Sequence, residues 1–95
     1  MALLDLLGRR WALRVLWELR DRATTFRELQ AACGGMSPTV LSQRLGELRD
    51  GGIVETGESG YRLSERGRSL LAALSPLADW ARSWPARPPS ARGRR

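Results

Sequence analysis

The side chains best suited to a chemical task lie close together, between Ser37 and Arg44. Thr39, Ser42 and Gln43 carry neutral hydroxyl and amide groups, and their spacing puts them on one side of a helix. Such groups hydrogen-bond to base edges in the DNA major groove. Glutamine can pair bidentately with adenine there, and the threonine methyl group can contact that of thymine. The segment therefore predicts recognition of a nucleic acid rather than a reaction.

The chain lacks the side chains that most enzymes use. It contains no histidine and one cysteine, and no glycine-rich phosphate loop or pair of carboxylates stands out. Cys33 falls at helical spacing from Phe26 and Leu29, which predicts a small buried apolar residue rather than a redox switch. We expect no enzymatic activity, no catalytic residue, no metal ion and no cofactor.

Residues 25–54 have the pattern of two short helices joined by a tight turn and followed by a strand. Thr25 and Glu28 have the spacing of a capping box at a helix start. Two glycines at 34 and 35 end that helix, and Ser37 with Pro38 supplies the N-cap and first position of the next. This is the helix-turn-helix pattern, whose second helix can enter a major groove.

The second of these helices, at about 37–50, has an apolar inner face. Leu41, Leu45 and Leu48 repeat on that face and should hold the helix against the rest of the domain. Arg44 lies at the edge of the exposed face, where it could contact a phosphate or form an ion pair with a neighbouring helix. The sequence leaves these two roles open.

The other segments predict a winged form of the motif. Residues 9–22 form a helix that is apolar on nearly all sides, and residues 53–63 form a short hairpin, the wing. A long helix covers about 64–84, and Pro76 should kink it or divide it after Ser75. The fold class is mainly α with a small β-hairpin. Residues 1–84 make one winged helix-turn-helix domain, and residues 85–95 make a basic, disordered Pro/Arg-rich tail.

Two helices carry more apolar surface than so small a domain can cover. We expect the first and last helices to form a homodimer, since a 95-residue chain has a small core. The alternatives are that the leucines of residues 3–7 cover the first helix and that the last is an ordinary core helix. The residues expected at the dimer interface are Trp17, Leu70, Leu74, Leu77, Trp80, Ala81 and Trp84.

Charge gives weaker support for DNA binding than the motif does. The net charge is +6, but the arginines at 87, 92, 94 and 95 contribute +4, which leaves +2 for residues 1–84. Glu55 and Glu58 make the wing acidic, although Arg62 could reach a phosphate. These features favour an alternative function, a winged-helix protein–protein interaction module with weak non-specific DNA binding.

The sequence shows no sign of a membrane segment or a signal peptide. No apolar run is long enough to span a bilayer, and the opening MALLDLLG lacks a basic region and a cleavage site. We therefore expect a cytoplasmic protein.

Three segments together resemble the HxlR family of bacterial winged-helix transcription regulators, a MarR-like group. They are LLGRRWALRVLWEL, FRELQAACGGMSPTVLSQRLGELRDGGIVE and YRLSERGRSLLAALSPLADWA, and the resemblance covers about residues 6–84. It implies a homodimer that is held by the first and last helices and binds an inverted repeat. It also implies control of nearby genes, in some members modulated by a small molecule or an oxidant.

Two features depart from that family. The family wing is normally longer, with a proline pair before its second strand, whereas only TGESG separates the strands here. Oxidant-sensing members use a cysteine near the N-terminus, and this chain has none there. A small-molecule effector stays unidentified.

The sequence thus predicts a DNA-binding transcription regulator whose partners are double-stranded DNA and a second copy of itself. The residues expected to contact DNA are Ser37, Pro38, Thr39, Ser42, Gln43, Arg44 and Arg62. Arg9, Arg10 and Arg27 are further candidates for phosphate contacts.

Overall fold

Helices dominate the chain, and a short hairpin interrupts them before the last one. The computed structural model describes residues 2–85, which form five helices and one two-stranded antiparallel sheet. The elements are α1 (Ala2–Leu7), α2 (Ala12–Glu18), α3 (Phe26–Cys33), α4 (Pro38–Asp50), β1 (Val54–Gly57), β2 (Gly60–Leu63) and α5 (Glu65–Arg82). The predicted fold class is confirmed, while the predicted tail lies outside the described residues apart from Pro85.

The helix-turn-helix consists of α3 and α4, and each begins with a side-chain cap. Thr25 Oγ1 accepts a hydrogen bond from the Glu28 amide at 3.1 Å, and Glu28 Oε1 accepts one from the Thr25 amide at 3.0 Å. The Thr25 N–H and then the Arg22 guanidinium hold the pKa of Glu28 below its usual value. At the start of α4, Ser37 Oγ accepts from the Val40 amide at 3.1 Å. The predicted capping box and N-cap are confirmed.

One apolar core joins α2, α3, α4 and the hairpin. Burying a leucine side chain contributes roughly 1.5–3 kcal/mol, so this cluster supplies most of the favourable free energy of folding. The buried members are Leu7, Val15, Leu16, Leu19, Leu29, Cys33, Met36, Leu41, Leu45, Leu48, Ile53, Val54 and Leu63. The three leucines predicted on the inner face of α4 are among them.

The predicted helix over residues 9–22 is wrong in its extent. Helix α2 covers only Ala12–Glu18. It cannot begin earlier, because Trp11 has a φ of 78°, in the left-handed region, which separates α2 from α1. The indole ring of Trp11 packs against the core. Of the apolar run, Val15, Leu16 and Leu19 are buried, whereas Leu13 and Trp17 are each 46% exposed. The run could not reveal the left-handed residue before α2.

The hairpin is fastened to the helix-turn-helix by a third stretch of extended chain. Thr24 and Tyr61 form an isolated bridge with two backbone hydrogen bonds, each 2.8 Å long. Gly60 has a φ of 114°, and a Cβ there would lie 2.5 Å from the Thr24 carbonyl oxygen. Only glycine fits both the backbone angle and this close approach. Since Tyr61 is one residue from the hairpin turn, the bridge fixes the turn end of β2 beside the start of α3.

Helix α5 is continuous through Pro76, so it is not divided after Ser75. Its start is anchored by Ser64, whose hydroxyl accepts from the Gly67 amide at 3.0 Å and donates to the Gly52 carbonyl oxygen at 2.6 Å. Beyond this anchor the helix extends past the core. In its second half Leu77 is 57% exposed.

We expect Gly67→Ala to lower the free energy of unfolding by about 1–3 kcal/mol. An added Cβ at this buried position overlaps the backbone carbonyl oxygen of Ile53, which cannot move without disturbing the start of β1. Gly46→Ala is the matched control, since a Cβ there meets nothing within 4 Å in the middle of α4. It should raise stability by about 0.5–1 kcal/mol. Urea titrations followed by circular dichroism give the free energy of unfolding of both variants. Equal effects would contradict the predicted overlap with the Ile53 carbonyl oxygen.

Candidate nucleic-acid interface

The outer face of α4 presents the neutral polar side chains that the sequence singled out. Thr39, Ser42 and Gln43 are all exposed, whereas Leu41 and Leu45 on the opposite side are buried. The burial of the leucine face fixes the rotation of the helix about its axis. The exposed hydroxyl and amide groups therefore point away from the core on a well-supported element.

Pro38 and Phe26 adjoin these polar residues. Together with Thr39, Ser42 and Gln43 they line a shallow depression of about 610 Å³ between the start of α3 and the first half of α4. Phe26 is partly buried, and it also packs against the core. The sequence pattern identified Phe26 only as an apolar helix position, because a 3.6-residue period cannot show that part of a core side chain faces solvent.

Ser37 stands at the exposed start of α4 and has its hydroxyl oxygen committed to the cap. The hydroxyl can still donate its hydrogen to an anion while the oxygen accepts from Val40. The helix N-terminus carries partial positive charge, which favours a phosphate there. Pro38 follows at the first helical position and offers no N–H.

Arg44 is turned towards the protein rather than towards solvent. Its Nε donates to the Arg10 carbonyl oxygen at 2.8 Å, and its Nη1 donates to Glu47 Oε1 at 3.1 Å. The Arg44 side chain is 14% exposed. Glu47 Oε1 also lies 3.7 Å from Arg9 Nε. Of the two roles left open by the sequence, the structure contains an ion pair, although its partner lies on α4 itself.

The wing pairs its one arginine with one of its two glutamates. Glu55 and Arg62 face each other across the hairpin, and Arg62 Nε lies 2.7 Å from Glu55 Oε2. Both side chains are about half exposed, so the pair is worth little and can exchange partners. Glu58 lies in the exposed turn at the tip. The wing is therefore close to neutral at its base and negative at its tip.

The remaining candidate arginines lie at either side of α4. Arg9 and Arg10 are exposed in the turn between α1 and α2, and the Arg10 guanidinium carbon lies 5.7 Å from the centre of the Trp11 ring. Arg27 is exposed in the first turn of α3. Neither Arg9 nor Arg10 is on a helix, contrary to the sequence prediction.

A second surface, on α2 and α5, is apolar and uncovered. Trp17, Trp80 and Trp84 are 46%, 59% and 57% exposed, and the rings of Trp80 and Trp84 lie 5.9 Å apart. Ala81 and Leu77 are exposed beside them. Of the other residues predicted at the dimer interface, Leu70 and Leu74 are half-buried, and Leu70 packs against the core of its own domain.

A groove of about 570 Å³ runs between these two helices, and we call it the α2/α5 groove. Leu13, Trp17 and Leu71 lie along its apolar floor, and Arg20 lies at its edge. The Arg20 guanidinium stacks 3.9 Å above the ring of Trp17, which partly covers that side chain. Leu77 and Ala81 line the groove and are within one helical turn of Trp80, so the exposed tryptophans adjoin its apolar lining.

Cys33 is buried in the core, as its spacing predicted. Burial raises the pKa of its thiol, against a smaller opposing effect of Arg14. The thiol is therefore protonated at neutral pH and unsuited to act as a nucleophile. Within residues 2–85 no group of three or more metal-binding side chains occurs, and no helix there is long and apolar enough to cross a membrane.

Known proteins resemble this chain in sequence and in fold. Residues 6–88 match the family described as HxlR-like helix-turn-helix. YvaP of Bacillus subtilis, described as an uncharacterized HTH-type transcriptional regulator, is 31% identical over 87 residues, which are 84% of this chain and 81% of YvaP.

Two solved structures show the same arrangement of elements. The quinone-bound YodB of B. subtilis is 31% identical, with a TM-score of 0.81 over 87% of this chain and 94% of that one. A possible HxlR family transcriptional factor from Thermoplasma volcanium is 29% identical, with a TM-score of 0.76 over 85% of this chain and 79% of that one.

Proposed function

The chain belongs to the HxlR-like helix-turn-helix family of transcription regulators, and we propose that it binds an inverted-repeat operator as a homodimer in the cytoplasm. It is a DNA-binding regulator and not an enzyme. In the proposed complex, α4 of each copy lies in the major groove of one half-site. The finer points, which are the homodimer, the operator symmetry and the residue roles, are inferred from the surfaces described above.

The observation that carries this proposal is the division of α4 into two faces. Its leucines are buried, and the first half of its outer face presents the neutral side chains of Thr39, Ser42 and Gln43. The exposed charged residues Arg49 and Asp50 lie two turns further along the helix. Neutral donors and acceptors on a fixed helix suit base edges, which differ in their hydrogen-bonding pattern. A surface built to bind a protein would more often present exposed aromatic anchors, and α4 itself carries no aromatic residue.

The apolar region on α2 and α5 supports the homodimer. Three of the four tryptophans of the chain are about half exposed, and all three lie on that region. A second copy offers the same apolar surface, so a twofold interface would cover both at once. A twofold axis would place the two α4 helices about 34 Å apart, on half-sites one turn of DNA apart.

The arginines divide into two proposed roles. Arg62 is held only by an exposed pair with Glu55, so a phosphate can replace that carboxylate. Arg44 instead acts as a positioning residue, because its hydrogen bonds to Arg10 and Glu47 brace α4 against the turn after α1. Ser37, which caps α4, places the start of that helix against the sugar–phosphate backbone. Pro38 lies between Ser37 and the base-reading side chains.

The second candidate function is an interaction module that binds DNA only weakly and without specificity. The wing favours it, since Glu58 occupies the tip and Glu55 pairs with Arg62. The commitment of Arg44 to the protein also leaves α4 with less positive charge facing outward.

Sequencing of genomic DNA retained by the purified protein at near-physiological salt tests the main proposal. We expect one short inverted repeat to be enriched, with half-site centres about 10 base pairs apart. Retention of DNA without a shared motif, lost on modest addition of salt, would instead support the interaction module. A single unrepeated site would contradict the twofold arrangement.

Gln43→Ala should weaken binding to the selected operator by about 1–3 kcal/mol and reduce discrimination at one base pair. The change removes an amide that can pair with adenine and leaves the net charge unaltered. Ser69→Ala is the control, since Ser69 is exposed on α5 away from α4. Titrations on cognate and random DNA compare them, and equal losses on both would remove Gln43 from the base-reading set.

Arg62→Ala and Arg44→Gln should differ in their salt dependence. Each phosphate contact makes the slope of log K against log salt more negative by about 0.9. Arg62→Ala removes two contacts from a dimer, so it should make the slope shallower by about 2 and weaken binding to all DNA sequences alike. Arg44→Gln should weaken binding to the operator and leave the slope of log K against log salt unchanged. Arg66→Ala, on α5, controls for the loss of one positive charge. A shallower salt dependence for Arg44→Gln would show that Arg44 contacts a phosphate.

A further inference from the structure

The depression beside the base-reading side chains has an unusual lining for a DNA-binding surface. Its five residues, Phe26, Pro38, Thr39, Ser42 and Gln43, are all uncharged. The aromatic ring, the pyrrolidine ring and the threonine methyl group are carbon surfaces, while the hydroxyls and the amide are polar. The lining thus joins an apolar wall to groups that can hydrogen-bond to a base.

A phosphate is not the best match for this lining. Phosphates are attracted most strongly by positive charge, although Ser, Thr and Gln side chains also hydrogen-bond to them. No lining side chain is positive, and Pro38 has no N–H at the first position of α4. A neutral group with an apolar part is the better match.

The only apolar group that a base pair displays in the major groove is the 5-methyl group of thymine. We propose that the depression receives this methyl group, so that Phe26, Pro38 and Thr39 read thymine while Gln43 pairs with an adenine. The inference rests on the proposed function, because it requires α4 to lie in a major groove.

The position of Phe26 supports this role. Phe26 is the first residue of α3 and lies within the capping box formed by Thr25 and Glu28, which fixes its backbone. The side chain packs against the core and also lines the depression, so it forms a wall that does not have to be ordered on binding. A preformed wall recognises a small group at lower entropic cost than a mobile side chain.

Thr39 and Gln43 are related by one turn of α4, and side chains at this spacing lie on the same face. A thymine methyl group at Thr39 and an adenine at Gln43 therefore belong to the same or neighbouring base pairs. The depression then specifies an A·T pair near the centre of each half-site.

Replacement of single thymines by deoxyuridine in the selected operator tests the inference with the unaltered protein. Uracil keeps every hydrogen-bonding group of thymine and lacks only the 5-methyl group. Removing one buried methyl group should weaken binding about fourfold per half-site. We expect this loss at one thymine position, changed symmetrically in both half-sites, and not at the others.

Variants at Thr39 then locate the methyl group. Thr39→Ser deletes only the side-chain methyl group at an exposed helix position, so the fold should be unaffected. In this variant, replacing thymine by deoxyuridine should cost less affinity than it does in the wild type. Thr39→Val keeps a methyl group and removes the hydroxyl, so deoxyuridine should weaken its binding as much as it weakens that of the wild type. Phe26→Ala should also reduce the affinity lost with deoxyuridine. If that variant does not fold, the comparison of the wild type with the two Thr39 variants tests the inference.

The outcomes separate this inference from the proposed function. An enriched operator that contains no thymine, or that tolerates deoxyuridine at every position, overturns the methyl-binding site and leaves the regulator intact. A deoxyuridine loss that is the same in wild type, Thr39→Ser and folded Phe26→Ala overturns it too. Absence of any enriched repeat would overturn both.

Discussion

The arrangement depends on how α4 is held against the core. Three leucines, Leu41, Leu45 and Leu48, are almost completely buried and leave the helix one rotational setting. Rotating α4 by one residue, about 100°, would expose part of this face and forfeit several kcal/mol of burial. The same contact that stabilises the domain therefore directs Thr39, Ser42 and Gln43 outward. The stability of the domain and the proposed recognition of DNA therefore depend on the same packing of α4.

Electrostatics plays a smaller part than the composition suggests. Within residues 2–85, seven arginines form ion pairs with nearby carboxylates: Arg9, Arg14, Arg20, Arg22, Arg44, Arg62 and Arg82. Most of these pairs are exposed and weak, so they can give way to a phosphate, but the Arg44 pair is largely covered. The proposed recognition of DNA therefore relies on neutral hydrogen-bonding groups and carbon surfaces.

The small core and the exposed tryptophans belong to one physical problem. The described residues have principal extents of 47 × 28 × 26 Å, and residues 75–82 in the second half of α5 are exposed. A helix so placed leaves apolar side chains in water, which a second copy of the chain could cover. A dimer would at the same time set the spacing of the two α4 helices, so the stability of the fold and the geometry of DNA recognition would be coupled through α5.

Local hydrogen bonding and periodicity made much of the fold predictable from the sequence. The capping box at Thr25, the N-cap at Ser37, the hairpin and the buried leucines of α4 all follow from interactions within a few residues, and the structure contains them. The extent of α2 did not follow, because the left-handed turn at Trp11 depends on how its ring packs in the core. The continuity of α5 through Pro76 was likewise not predictable from the tendency of proline to interrupt a helix.

The candidate site divides in the same way. The sequence by itself determined which side chains lie on the outer face of α4, because a helical period and a leucine stripe decide that locally. Only the tertiary structure turned Arg44 onto the Arg10 carbonyl and brought Phe26 beside Thr39, since these contacts join α4 to a turn and to a helix whose positions depend on the packed core. Spacing along the chain sets the faces of a helix, whereas packing in three dimensions sets what lies next to them.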